Sequence, residues 1–194
     1  MELNDREHIT VRCHGNPDGP RIFLSHGNGM AADLYYPFWR HFLADCEVLA
    51  YDVRNHGWNR SGNPRHHVMA NFVFDTECVH EAVEQALGAK PALGMFHSLS
   101  SIIAMSHALR VPSRWAGLVL FEPPILPPPV HPLADVFRAS QEALGRRTEE
   151  RQDRYESYAE FEAVLRGSST FKSLDPECFP LYAAATFGPS SEGD

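Results

Sequence analysis

No two of the four cysteines form a CxxC pair; Cys13, Cys46, Cys78 and Cys178 are scattered along 194 residues. That spacing offers neither a zinc ribbon nor a disulfide frame, and it predicts free thiols in a reducing compartment. Basic residues are also scarce: 17 Lys and Arg stand against 25 Asp and Glu, for a net charge of −8. A nucleic-acid binder normally presents a basic face, so this balance argues against such a partner. Long apolar runs are missing too. The densest, from Trp115 to Phe121, is far too short to cross a bilayer, and the polar start Met1-Glu2-Leu3-Asn4-Asp5 lacks the apolar core of a signal peptide. The expected setting is cytoplasmic, with no membrane partner. With 43% hydrophobic and 22% charged residues, the chain has the composition of an ordinary globular domain with a sizeable core.

What is present alternates. Ile9, Val11 and Cys13 against Thr10 and Arg12 predict a half-buried strand over 8–13, near a sheet edge. Short apolar strands are expected over 21–25, 47–51, 91–96 and 115–121. Helices are expected over 33–44 with Asp33 as its cap, over 71–87 ending at Gly88, and over 99–109. Strands that alternate with helices, the later ones apolar on both faces, define an α/β fold with a mostly parallel sheet covered by helices. After Phe121 the pattern changes. Pro123, Pro124, Pro127, Pro128, Pro129 and Pro132 make a stiff linker. Amphipathic helices follow over 133–147 and 155–166, with a short one over 180–187 and a tail over 188–194 expected to be mobile. The chain thus divides into a core over 1–124 and a helical segment over 125–194.

Ser98 sits where an apolar strand gives way to a helical pattern, in Gly94-Met95-Phe96-His97-Ser98-Leu99-Ser100. A strand-to-helix turn holds a serine hydroxyl clear of the backbone, with helix N-terminal N–H groups aimed at the same spot. Taken alone, such a serine is more often a helix cap. Two further segments change that weighting: Ser25-His26-Gly27-Asn28-Gly29 after the strand at 21–25, and Asp52-Val53-Arg54-Asn55-His56-Gly57 after the strand at 47–51.

In order and approximate spacing the three segments resemble the α/β-hydrolase family, over about Arg21 to Pro124. The resemblance implies Ser98 as nucleophile and the amides of Asn28 and Leu99 as an oxyanion hole. It implies a structural role for the Asp52 segment and for His26, with His97 packed under the turn. Phe96 and Ser100 stand where the family's G-x-S-x-G elbow carries glycine, and Asn55 replaces the first glycine of D-x-R-G-x-G. Glu122 follows what the family counts as its sixth strand. It is either a triad acid or a strand-end carboxylate bonding nearby backbone. The block 125–187 resembles a family cap, with Gly29, Tyr35 and Trp58 expected along the substrate pocket. No metal or organic cofactor is implied, and His66-His67 reads as a solvated loop.

The general base is the difficulty. The family's histidine follows the last strand, whereas no histidine follows His131 here, and His131 falls in the cap segment. The chain therefore reads as a C-terminally incomplete α/β-hydrolase. It would be a serine hydrolase for a small-molecule ester or related acyl compound, weakly active as it stands. The alternatives are a non-catalytic, hydrolase-like binding module, or a haloperoxidase or carbon–carbon hydrolase of the same fold. Residues 116–121, left at the sheet edge with no charge or proline inside, predict self-association through that edge.

Overall fold

The computed structural model describes residues 7–59, 62–172 and 174–188. Its sheet contains β1 (Val11–Gly15), β2 (Arg21–Ser25), β3 (Glu47–Tyr51), β4 (Ala92–His97) and β5 (Gly117–Phe121). The spatial order is β1-β3-β2-β4-β5, with β1 antiparallel to β3 and the remaining pairs parallel. β2 and β3 are buried at every position, as expected of central strands covered on both faces.

The period of two along these strands decides which layer each side chain joins. Phe23, Leu49, Tyr51 and Phe96 pack with Val79, Ala104 and Trp115. That layer is built by α2 (Met69–Leu87) and α3 (Leu99–Arg110). Leu24, Val48 and Ala50 face the other way, onto Ala32 and Trp39. This opposite layer is a 3-10 turn over Ala32–Tyr35, a single turn α1 (Tyr36–Trp39) and a second 3-10 turn over Arg40–Phe42. Beyond β5 lie α4 (Ala134–Glu149), α5 (Tyr158–Gly167), α6 (Ser169–Lys172) and α7 (Cys178–Thr186). Phe161, Leu165, Phe171, Phe179 and Tyr182 from these helices form one cluster with Ala31 and Leu34, and Met30 and Tyr35 lie against it. The helical block therefore sits directly on the segment that follows β2.

Several sequence expectations need correction. The helix expected over 33–44 is broken into three short turns, and Asp33 caps nothing. Its carboxylate is taken instead by Arg12 at 2.7 Å and by the Trp58 indole N–H at 2.9 Å. β1 starts at Val11 rather than His8, although Ile9 is fully buried just ahead of it. α2 begins at Met69, two residues before Asn71, whose side-chain amide donates to the His66 carbonyl. Trp115 precedes β5 and is tied down by its indole N–H, which donates to His107 Nδ1 at 3.0 Å. The mobility expected over 189–194 lies outside the described residues.

β5 ends the described sheet, and Val119 and Phe121 are 43% and 41% exposed. No helix among the described residues is long and apolar enough to cross a membrane.

Candidate active site

The chain runs from β2 to β3 on one side of β2, then crosses to β4 on the other. At such a reversal the loops leaving the two strands diverge, and a crevice opens at their carboxyl ends. The segment after β2 and the turn after β4 flank that crevice, because Ser25 is in register with Phe96.

Ser98 forms the turn between β4 and α3 with φ 51° and ψ −111°, a conformation that L residues rarely adopt. The surrounding bonds hold it there. Its N–H donates to the Phe121 carbonyl at 2.9 Å. The Ser100 hydroxyl donates to the His97 carbonyl at 3.0 Å and accepts from the His97 N–H at 3.1 Å. The Ser101 hydroxyl donates to the Phe96 carbonyl at 2.8 Å. The Ser98 hydroxyl makes no capping bond. The cap reading of this serine thus fails.

Phe96 fits the elbow because its ring turns away from the turn. It lies edge-on to Trp115 at 5.3 Å and to Tyr51 at 6.4 Å. A Cβ on Gly94, two residues earlier on the same face, would overlap this ring. The space that a glycine elbow finds at the turn is supplied here one pleat back, at Gly94.

Gly27 brings the β2 loop against the elbow. A Cβ on Gly27 would stand 2.8 Å from His97 Nδ1 and 3.3 Å from the Ser98 Cβ, so only glycine allows this approach. Around it most amides have acceptors. Gly27 N–H donates to the Tyr35 hydroxyl at 3.4 Å, Gly29 N–H to His56 Nε2 at 3.0 Å and Met30 N–H to the Gly27 carbonyl at 3.1 Å. The Asn28 amide has no acceptor among the described residues, and neither does the Leu99 amide at the first position of α3.

Two buried histidines fix this loop as neutral rings. His26 Nδ1–H donates to the Gly27 carbonyl at 2.8 Å while its Nε2 accepts from Val53 N–H at 3.0 Å. His56 Nδ1–H donates to the Arg54 carbonyl at 2.9 Å and its Nε2 accepts from Gly29 N–H. Burial pushes His26 down to about 4 and His56 down to about 3. Asp52 holds the neighbouring turn, accepting from Ala32 N–H at 2.7 Å and Trp58 N–H at 3.2 Å. Asn55 occupies its glycine-like position with φ 61° and bonds Gly62 N–H through its side-chain oxygen at 2.6 Å. Asparagine tolerates the left-handed region, which accounts for that departure from the family pattern.

Glu122 also has a positive φ, 44°, and its carboxylate stands 3.8 Å from His97 Nε2. On the other side of that ring, His97 Nδ1 lies 2.7 Å from the Tyr35 hydroxyl. A proton on Nε2 satisfies both contacts. Burial lowers the His97 pKa, with Glu122 opposing, and burial raises the Tyr35 pKa to about 12. Glu122 is thus paired with the residue before Ser98. Tyr35 and Gly29 both border the loop at the elbow. The Trp58 indole is drawn onto Asp33, with the Arg12 guanidinium 5.9 Å from the ring centre. His131 Nδ1 accepts from Leu133 N–H at 3.2 Å at the start of α4.

A mostly parallel sheet, a strained serine between strand and helix, and a glycine loop against it together define an α/β-hydrolase. Within that class the chain belongs to the family described as serine aminopeptidase, S33, whose model matches residues 17–175. No curated protein matches the sequence.

Solved structures share the fold. E-2-(acetamidomethylene)succinate hydrolase superposes with a TM-score of 0.74 at 18% identity, over 97% of this chain and 63% of that one. The thioesterase domain from the curacin biosynthetic pathway gives 0.73 at 20% identity, over 100% and 68%. An α/β-hydrolase from Novosphingobium aromaticivorans gives 0.68 at 19% identity, over 95% and 61%. This chain therefore spans about two thirds of the length of these structures.

Sequence reasoning missed Arg151 and Tyr182. Both donate to the Gly29 carbonyl, at 3.2 and 3.0 Å, from across more than a hundred residues. The structural role expected of the Asp52 segment covers His56, but the bond from Gly29 N–H to this ring had no sign in the sequence.

Proposed function

We propose that this chain is a serine hydrolase in which Ser98 attacks a small-molecule ester or related acyl compound, with the Asn28 and Leu99 amides receiving the developing oxyanion. The observation that carries the reading is the strained backbone and uncapped hydroxyl of Ser98 against the Gly27 loop, where the Asn28 and Leu99 amides have no acceptor among the described residues. Strain of this kind persists only where the surroundings enforce it, and unpaired amides at a helix start suit a developing negative charge. Glu122, through His97, keeps the residue before the nucleophile in place. The helices over 134–186 act as a cap on the crevice, and the expected setting is the cytoplasm.

The test is covalent labelling with a fluorophosphonate, followed by peptide mapping. The expected adduct is on Ser98 and is lost in Ser98→Ala. Its rate should climb with pH through and beyond neutrality instead of levelling. Among the described residues no imidazole bonds the Ser98 hydroxyl, so its proton must leave to solvent hydroxide. A plateau near neutral pH would mean that a histidine serves as base. No adduct at Ser98 under any condition would overturn the enzymatic reading and leave a hydrolase-like binding module.

A further inference from the structure

We propose that Arg151 and Tyr182 are positioning residues that aim the Asn28 amide by gripping the Gly29 carbonyl, so that the C-terminal helices complete the oxyanion site. This rests on the reading of Asn28 as an oxyanion donor. Gly29 has φ 69°, which favours glycine, and a Cβ there would displace Arg151 Nη1 from its present position. The Gly29 carbonyl accepts from the Tyr182 hydroxyl at 3.0 Å and from Arg151 Nη1 at 3.2 Å. Arg151 Nη2 also donates to the Tyr182 oxygen at 3.3 Å. Two elements distant in sequence, the chain just after α4 and helix α7, thus converge on a single backbone oxygen.

The grip is transmitted by rigid peptide planes. The Gly29 carbonyl shares its plane with the Met30 N–H, which donates to the Gly27 carbonyl at 3.1 Å. The Gly27 carbonyl, held also by His26 at 2.8 Å, shares its plane with the Asn28 N–H. In a trans peptide the N–H points opposite to the carbonyl, so fixing the Gly27 carbonyl fixes the Asn28 amide. A cation against the Gly29 carbonyl also polarises that peptide and strengthens the Met30 N–H as a donor. His56, accepting from Gly29 N–H, restrains the plane between the two.

Tyr182→Phe keeps the ring stacked on Phe161 and packed on Phe171 while deleting the hydroxyl. Arg151 is exposed, so Arg151→Met leaves the core intact. Backbone NMR of the parent, both single variants and the double variant provides the test. In the double variant the Met30 amide should exchange about tenfold faster and the Asn28 nitrogen shift should move, while amides of β2 and β4 keep their protection. Phosphonylation of Ser98 should slow several-fold in the same protein. Unchanged Met30 exchange and Asn28 shift in a folded double variant would overturn the proposal, whatever the labelling does. A parent that shows the NMR changes on substitution but never labels at Ser98 would instead overturn the nucleophile reading.

Discussion

The two ends of the sheet are built on opposite principles. At the carboxyl ends of β3, β4 and β5 stand Asn55, Ser98 and Glu122, the non-glycine residues with positive φ among those described. At the amino ends the backbone is relaxed and the charges are matched. Arg21, opening β2, meets Glu47, opening β3, at 2.6 Å, and Lys90 joins the same carboxylate at 3.3 Å. Ahead of β5, Arg114 binds both Glu77 and Glu84, and His107 donates to Glu77 at 2.7 Å. Arg114's hydrogen bonds, against partial burial, hold the Glu77 carboxyl below its ordinary range. Left-handed conformations at non-glycine residues cost roughly 1–3 kcal/mol each, so one end stores strain while the other secures the fold that bears it. Stability and reactivity should therefore be separable by substitution.

The largest expected effect is acid sensitivity, and it involves both ends. His26 and His56 at the strained end and His80 at the paired end are pushed by burial from 6.5 to about 4, 3 and 3. The unfolded chain takes up these protons near 6.5, the folded one only near the lower values. Stability is therefore complete above 6.5 and falls as pH drops, by about 1.4 kcal/mol per pH unit for each histidine. Asp52, whose pKa burial raises, contributes with the opposite sign. His80 Nε2 is buried without a hydrogen-bond partner among the described residues. His80→Leu should therefore keep neutral-pH stability and remove one histidine's share of the acid slope, measured by urea unfolding at several pH values. An unchanged slope would show that His80 is not held neutral.

Next in size, Arg114→Ala should cost about 2 kcal/mol, because Glu77 and Glu84 lose their cation. The rate of Ser98 labelling per folded molecule should stay at the parent value. A loss of labelling without a loss of stability would break the division between the ends. The smallest effect concerns the flank. Among the described residues no strand covers the outer edge of β5, so the chain should associate weakly with itself, and Val119→Lys should reduce this. Sedimentation over a concentration series decides it: a parent that stays monomeric when concentrated contradicts the expectation.

The legible parts of this molecule are those whose cause is local. β2 and β3 are legible because, Ser25 apart, every residue in them is apolar or charge-paired, between clear turn signals. The elbow was legible because the period of the pattern changes from strand to helix at Ser98. Compatibility of Phe96 with that elbow was less visible, since it depends on Gly94 lying beneath the ring on the same face. Asp33 misled because its side chain has two partners, Arg12 and Trp58, that outcompete a helix start. Arg151 was invisible for the same kind of reason. An exposed arginine in a charged stretch carries no local sign that folding will bring it to a carbonyl 122 residues away.

The central claim is that strain is held at Ser98 for the sake of reactivity. Ser98→Gly tests it most directly, with thermal unfolding and fluorophosphonate labelling measured on the same preparation. Glycine adopts the required φ without penalty, so the account predicts a gain in stability of about 1 kcal/mol together with complete loss of the adduct. A variant that is less stable than the parent, or that still labels at the same rate, would contradict it.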